Sequence, residues 1–503
     1  MGPGGTATVG SSTINLTKTI VGAGMLAIPF VFKNDGVLVG IILTLLAATT
    51  SGFGLFVLAR CSKVLSNPRT SSFFTLCMIT YPSLSPLFDV AMIVQCFGVG
   101  LSYLVLIGDI FPSLFGGERN FWILASAIIV WPLCSLKKMD SLRYSSIVGL
   151  MALTYIFILV ISMFVLKTII QHDVKIERGP VNWFHVYSWK GLLSSFSIVI
   201  FAYTGSMNIF SIINELEDNA MTEINKIINY SISISSFFFL SVGITGYLTY
   251  GSNTLGNILL NYDPNSPWIY IANFCLASML ILSFPLLFHP LRIAVNNLVV
   301  FFRMKYPAVV HRNTSMEDLN GDENDNAPED YYFNSSAASI TATATRTSMA
   351  SIVMNIEDDD IDAEDNLLAS SICASDLDQI QDGTSEIVTL PERGEEEQHV
   401  SFPDSRFYII TFTLLPLMYV ISLRLRSFAF VLALVGATGS TSMSFTLPGL
   451  FGYKLIGSDS LAVGQMISKR DAFYKKCSLL LTWFGIIVMI LSLYVTMKYG
   501  AEN

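Results

Sequence analysis

The sequence predicts an all-α polytopic membrane protein with eleven transmembrane helices. Three observations predict it. Of 503 residues, 52% are hydrophobic and only 13% charged, against about 25% charged in an ordinary soluble domain, and the mean hydropathy is +0.57. The apolar residues fall into runs long enough to cross a bilayer, which takes about 20 residues per helix. Two of these runs, the first and the sixth, are interrupted at mid-length by small and polar residues where a passive anchor would carry leucine and isoleucine.

Along the chain, candidate spans lie near 10–32, 36–60, 86–112, 120–135, 143–168, 191–213, 229–250, 267–300, 405–423, 426–451 and 473–498. The first reads TINLTKTIVGAGMLAIPFV over 13–31, with Gly22 and Gly24 at its centre, Lys18 before them and Pro29 beyond. Unwound backbone survives at membrane depth only inside protein or along a cavity, because each unpaired N–H or C=O costs ~2–7 kcal/mol. A broken span is therefore a candidate binding site: positive half-helix ends face anions, and freed carbonyls face cations. The fourth run is short, and only LRLRS, 423–427, separates the ninth from the tenth. The sixth reads LLSSFSIVIFAYTGSMNIFSIINELEDN from Leu192, and small or polar residues gather over Phe201–Asn208. Two interrupted spans, five apart, point to an inverted-repeat transporter of five plus five helices with breaks in helices 1 and 6. No cleavable leader is read in MGPGGTATVGSST, so the first span is expected to serve as the insertion signal.

Basic residues orient the bundle. With the N-terminus in the cytosol, the cytosolic connections hold Arg60, Lys63 and Arg69; Lys137, Lys138 and Arg143; Arg303 and Lys305; and Lys454, Lys469, Arg470, Lys475 and Lys476. The far side holds Lys33, Arg119, Lys175, Arg178, Lys190, Arg424 and Arg426. An odd number of spans places the C-terminus on that far side.

Residues 306–404 divide helices 1–8 (1–305) from helices 9–11 (405–503). Between Glu317 and Glu397, 22 acidic residues face only Arg346 and Arg393, a net −20. The remainder of the chain is thus +11 of the overall −9, and the acidic pI of 5.1 describes the insert rather than the membrane core. So polar a segment buries too little apolar surface to offset ordering entropy, which predicts a disordered cytosolic loop. Two roles stand open for it: a solvated tether, or a regulatory segment acted on by kinases or, through EDNLL at 364–368, by sorting adaptors.

The seven cysteines have no CxxC spacing and most lie in apolar runs, so neither a disulfide framework nor a metal site is predicted, and no cofactor. No clustered His, Asp or Cys set suggests an enzyme. Lys18 stands one turn before the first break. It either carries the coupling proton or snorkels to the interface. His289, before Pro290, is either a relay or a structural histidine.

The run NLTKTIVGAGMLAIPFVFKNDG (15–36) resembles the first-helix motif of the amino acid/auxin permease superfamily, with its G-x-G-x-L-x-[IL]-P core. The resemblance continues through GLSYLVLIGD (100–109), GSMNIFSIINEL (205–216), LSFPLLFHPLRIAVNN (282–297) and GATGSTSMSFTLPGL (436–450). It covers the chain apart from the insert and is strongest to the fungal vacuolar members, which are similar to the animal sodium-coupled neutral amino acid transporters. It implies a leucine-transporter-type five-plus-five repeat, eleven spans and amino acid substrates. For the vacuolar branch it implies proton-linked transport, with some members exporting from vacuole to cytosol.

Carried onto this chain, the resemblance places backbone amides near Gly22, Ala23 and Gly24 at the substrate carboxylate, flanked by Thr19 and Met25. It places carbonyls around Phe201–Thr204 at the ammonium, with Tyr203 capping the site. The coupling ion or proton would lie between helices one and eight, near Asn15, Lys18, Val21 and Ser283. Many superfamily members carry a cysteine–histidine pair in helix six where this chain has Thr204, Gly205 and Ser206. The expectation is a proton-coupled secondary transporter of neutral, glutamine-like amino acids in the vacuolar membrane. The rival is a sensor that binds amino acids and signals through the acidic loop.

Overall fold

A computed structural model describes residues 5–65, 69, 71–136, 143–166, 178–184, 186, 189–305, 404–458 and 467–499. The expectation of a disordered loop over 306–404 therefore lies outside the described residues, save position 404. One compact unit comprises Met1–Leu298 with Ser405–Asn503, and everything below concerns it.

The described residues fold as helices. α1 (Val9–Ile20), a 3-10 turn (Ala23–Ala27) and α2 (Ile28–Asp35) form the first span, followed by α3 (Val37–Ser62), the short α4 (Phe73–Thr80), α5 (Ser85–Phe115), α6 (Arg119–Cys134) and α7 (Arg143–Met163). Then come α8 (Trp189–Ala202), α9 (Ser206–Glu215), α10 (Met221–Tyr250), α11 (Pro267–Lys305), α12 (Asp404–Arg424), α13 (Phe428–Val435), α14 (Leu447–Leu455) and α15 (Lys469–Tyr499). Among the described residues, nine helices are long and apolar enough to cross a membrane, and the bent pair at the start is a tenth. α6 is apolar but only 16 residues long. Counted with it, the broken spans stand first and sixth.

Local chemistry sets the boundaries. Side chains of Thr8, Ser72 and Ser427 accept the backbone N–H of Ser11, Thr75 and Phe430 and cap α1, α4 and α13. Gly36 joins α2 to α3 at φ 79°, a left-handed conformation that a side chain would strain. Hydroxyls within spans return to their own helix: Thr44 Oγ1 donates to Gly40 O at 2.7 Å and Ser102 Oγ to Gly98 O at 3.0 Å. That bond lets Ser and Thr cross hydrocarbon at little cost. Large side chains such as Ile128, Leu480 and Ile487 are left on the outer surface, where lipid replaces water.

The core gathers around the broken spans. α1 and α2 pack on α10, α2 also on α3 and α8, and α5 on α6 and α13. Between α13 and α14 the tenth span widens into π-helical turns, Gly436–Ser440 and Ser442–Thr446. There a Cβ on Gly436 would fall 1.9 Å from the Ser197 carbonyl oxygen of α8, so only glycine permits this approach.

At one end of the bundle the chain start is tied down. Ala7 pairs with Leu216 as an isolated parallel bridge: Ala7 N–H donates to Glu215 O and Glu217 N–H to Ala7 O, each at 3.0 Å. Nearby, Arg69 Nη2 donates to Glu217 O at 3.1 Å, Lys63 Nζ donates to Asn219, and Ser71 and Asn214 exchange two bonds. Arg60 meets Asp471 at 2.6 Å, a half-exposed pair of small net worth, about 0–1 kcal/mol. Arg119 Nη2 bonds Leu425 O at 2.6 Å and its Nε faces Asp109 at 3.4 Å.

Candidate functional site

The first break falls at Val21 and Gly22. α1 closes at Val21, whose N–H bonds Thr17 O at 2.7 Å and whose ψ of 61° no helix continues. Gly22 is extended, with ψ −158°, and its carbonyl accepts the Met25 N–H at 3.1 Å to begin the 3-10 turn. The two halves of the span meet at 45°. In the sixth span, α8 ends at Ala202. Tyr203 N–H returns to Val199 O and Thr204 N–H to Phe201 O, each at 3.1 Å, and α9 restarts at Ser206. Thr204 Oγ1 takes the Ile200 carbonyl at 2.9 Å. The last carbonyls of a helix lack intrahelical partners, so the carbonyls of Ala202 and Tyr203 are those these bonds leave over.

The breaks fit each other. A Cβ on Gly24 would lie 3.2 Å from both Cα and Cβ of Ala202, and a Cβ on Gly205 would lie 2.9 Å from Ile20 Cγ1. A polar bridge joins them: Asn208 Nδ2 donates to Thr19 Oγ1 at 2.8 Å, and Thr19 Oγ1 donates to Asn15 O at 3.0 Å.

Where the breaks meet, a cavity of about 390 Å³ opens, within the size range of small-molecule sites. The first span contributes Lys18, Thr19, Ile20 and the backbone of Gly22–Gly24; the sixth contributes Phe201, Ala202, Thr204, Met207, Asn208 and Ser211. α5 supplies Met92, Gln95, Val99 and Tyr103, and α11 supplies Met279, Ser283, Leu286, Leu287, His289 and Pro290. Lys18 lies across α7, where a Cβ on Gly149 would be 3.2 Å from its Cε. Ser283 is 8% exposed, and its hydroxyl has no hydrogen-bond partner among the described residues. No Asp or Glu lines the cavity among the described residues.

Of the residues expected to bind substrate, Thr19, Gly22, Ala23, Gly24, Phe201 and Thr204 stand in the wall, as do Lys18 and Ser283 of the coupling set. Four others do not. Tyr203 is no cap: it is fully buried, its hydroxyl donates to Ser236 Oγ on α10 at 2.8 Å, and its ring meets Phe239 edge-on. Successive residues of a turn point about 100° apart, so Phe201 and Thr204 face the cavity while Tyr203 faces α10. Met25 is fully buried in the apolar core, Val21 is buried, and Asn15 is exposed, meeting the site only through its carbonyl. Sequence reasoning missed Gln95, Tyr103, Met207 and Ser211, and had Asn208 only as the edge of the sixth-span break. Gln95 carried a signal, a lone amide inside an apolar run.

The family profile described as transmembrane amino acid transporter protein matches residues 5–491. The chain belongs to this family. Membership confirms the amino acid/auxin permease resemblance of the helix motifs and makes the protein a transporter-family chain rather than an enzyme. A curated relative named vacuolar amino acid transporter 7, of Saccharomyces cerevisiae, is 57% identical over 487 residues, covering 97% of each chain. Vacuolar amino acid transporters 5 and 6 of the same yeast are each 31% identical and cover 98% of this chain and 99% of their own lengths. Among solved structures, a Na+-coupled sialic acid symporter gives a TM-score of 0.48 at 12% identity, over 99% of this chain and 90% of that one.

Proposed function

We propose that the protein is a proton-coupled secondary transporter that moves neutral, glutamine-like amino acids across the vacuolar membrane, from lumen to cytosol. The observation that carries this is the cavity at the junction of two broken spans, bridged by Asn208 and Thr19. Backbone amides near Gly22, Ala23 and Gly24 take the carboxylate, and carbonyls around Phe201–Thr204 take the ammonium. A wall that, among the described residues, holds Lys18 and no acidic side chain disfavours a cationic substrate side chain and suits a neutral one. The yeast relatives' names support the vacuole and the substrate class. Coupling is assigned to the region between spans one and eight, where Lys18 and Ser283 share the wall, with Asn15 reaching it through its carbonyl and Val21 buried behind it.

In this reading the chain has eleven spans, a cytosolic N-terminus and a lumenal C-terminus. It comprises helices 1–8 over 1–305, an acidic cytosolic loop over 306–404 open to kinases or adaptors, and helices 9–11 over 405–503. The bound chain start shares its end of the bundle with Arg60, Lys63 and Arg69, which favours a cytosolic N-terminus.

The test is flux in sealed proteoliposomes with radiolabelled amino acids, glutamine first, under an imposed pH difference and without sodium. Stereoselective flux that follows the proton gradient supports the reading. Specific binding without flux under any gradient overturns it in favour of a sensor. Lys18→Ala is expected to abolish the response to the pH gradient; an unchanged response removes Lys18 from coupling.

A further inference from the structure

Gln95 lies in the first half of α5, 2% exposed, in the cavity wall between Met92 and Val99. Its Oε1 accepts a hydrogen bond from Ser440 Oγ at 2.8 Å. Ser440 closes the first π-helical stretch of the tenth span. The residue before it must be glycine: a Cβ on Gly439 would fall 2.7 Å from Gln95 Cα and 2.8 Å from Gln95 Oε1. The widened turn and the missing side chain together bring the tenth span close enough to hold this amide by its oxygen.

An amide side chain has one acceptor oxygen and two N–H donors. With the oxygen committed to Ser440, the amino group is the end left for the cavity. Met92 and Val99, three residues before and four after on the same helix face, make the surroundings apolar. A donor there is satisfied by water or by a ligand acceptor, and an aliphatic ligand that displaces the water leaves it orphaned.

We propose that Gln95 is a specificity-determining residue, donating to a hydrogen-bond acceptor on the substrate side chain, and that Ser440 positions it. The proposal rests on the transport reading and narrows it to neutral amino acids whose side chains end in a carbonyl. Selection against an aliphatic side chain of similar size then comes from the unpaired donor rather than from shape.

The experiment compares kcat/KM for glutamine and leucine in proteoliposomes carrying the full-length protein or its Gln95→Met, Gln95→Glu and Ser440→Ala variants. Methionine keeps length and apolar bulk but cannot donate. Glutamate keeps an oxygen for Ser440 and turns the other toward the cavity as an acceptor. The expected results are a fall of about tenfold or more in the glutamine-to-leucine ratio for Gln95→Met, a glutamine preference kept by Gln95→Glu, whose carboxylate accepts from the N–H of the substrate's own amide, and for Ser440→Ala a raised glutamine KM at constant kcat. Melting temperature and monodisperse elution report that each variant is folded. A ratio unchanged in Gln95→Met, or a Ser440→Ala effect equal for both substrates, overturns the proposal while leaving the transport reading intact. An unsubstituted protein that moves neither amino acid overturns both.

Discussion

Gly22 and Gly24 belong to one motif, but the structure gives them different tasks, and alanine at each separates them. At Gly24 an added methyl sits 3.2 Å from two carbons of Ala202. Carbon pairs prefer about 3.5–4.0 Å, so the end of α8 must retreat by roughly 0.3–0.8 Å. Overpacking of this kind costs about 1–3 kcal/mol. The retreat occurs where both broken spans line the cavity, and small misplacements near 1 Å can cost on the order of 100-fold in activity. At Gly22 the nearest atom to an added methyl is the Thr19 carbonyl oxygen, 3.8 Å away, and φ is −89°, which any residue adopts. The assay is proteoliposome flux alongside thermal unfolding in detergent. Gly24→Ala is expected to unfold at lower temperature and to lose about tenfold or more in kcat/KM. Gly22→Ala keeps the parent's unfolding temperature and raises KM alone, because its methyl enters the cavity. Equal unfolding losses in the two variants, or parental transport by Gly24→Ala, refute the reasoning.

Tyr203→Phe removes the bond to Ser236 and should cost about 0.5–1.5 kcal/mol of stability with no change in substrate KM; a raised KM returns Tyr203 to the site. Asn208→Ala breaks the bridge to Thr19 and should lower transport by several-fold, in line with one bond worth ~1 kcal/mol, and wild-type flux from this variant would remove the bridge from the mechanism. Gly436→Ala places a methyl 1.9 Å from the Ser197 carbonyl; poor expression or a sharply lowered unfolding temperature is expected, and a parental melting curve would show that the tenth span can slide on α8.

Both breaks were legible because their cause is local. Gly22, Gly24 and the Thr204–Gly205 pair are residues that a lipid-facing helix has no use for, and the backbone turns at those positions. Span boundaries were legible to within a few residues from the apolar runs, and α10 departs furthest, beginning at Met221 rather than near 229 because its polar first two turns still hydrogen-bond as helix. What could not be read is which way side chains face once helices pair. Tyr203 points to α10 and Met25 into the core because α10 and α8 pack there, and those contacts join residues far apart in the chain. Gln95 and Ser440, 345 positions apart, meet through a π-helical turn that GATGSTSMS encodes by no periodicity.

The bridge between Ala7 and Leu216 also imposes an order on synthesis. The chain start cannot find its partner until the sixth span has left the ribosome. At about 5–20 residues per second, that is a wait on the order of 10–40 s. Until then the first span, already in the membrane with its broken middle, lacks α8 and α10, which later shelter its backbone. Closure of this small clasp thus follows the arrival of α8 and α9, which bring the sixth span's share of the cavity wall.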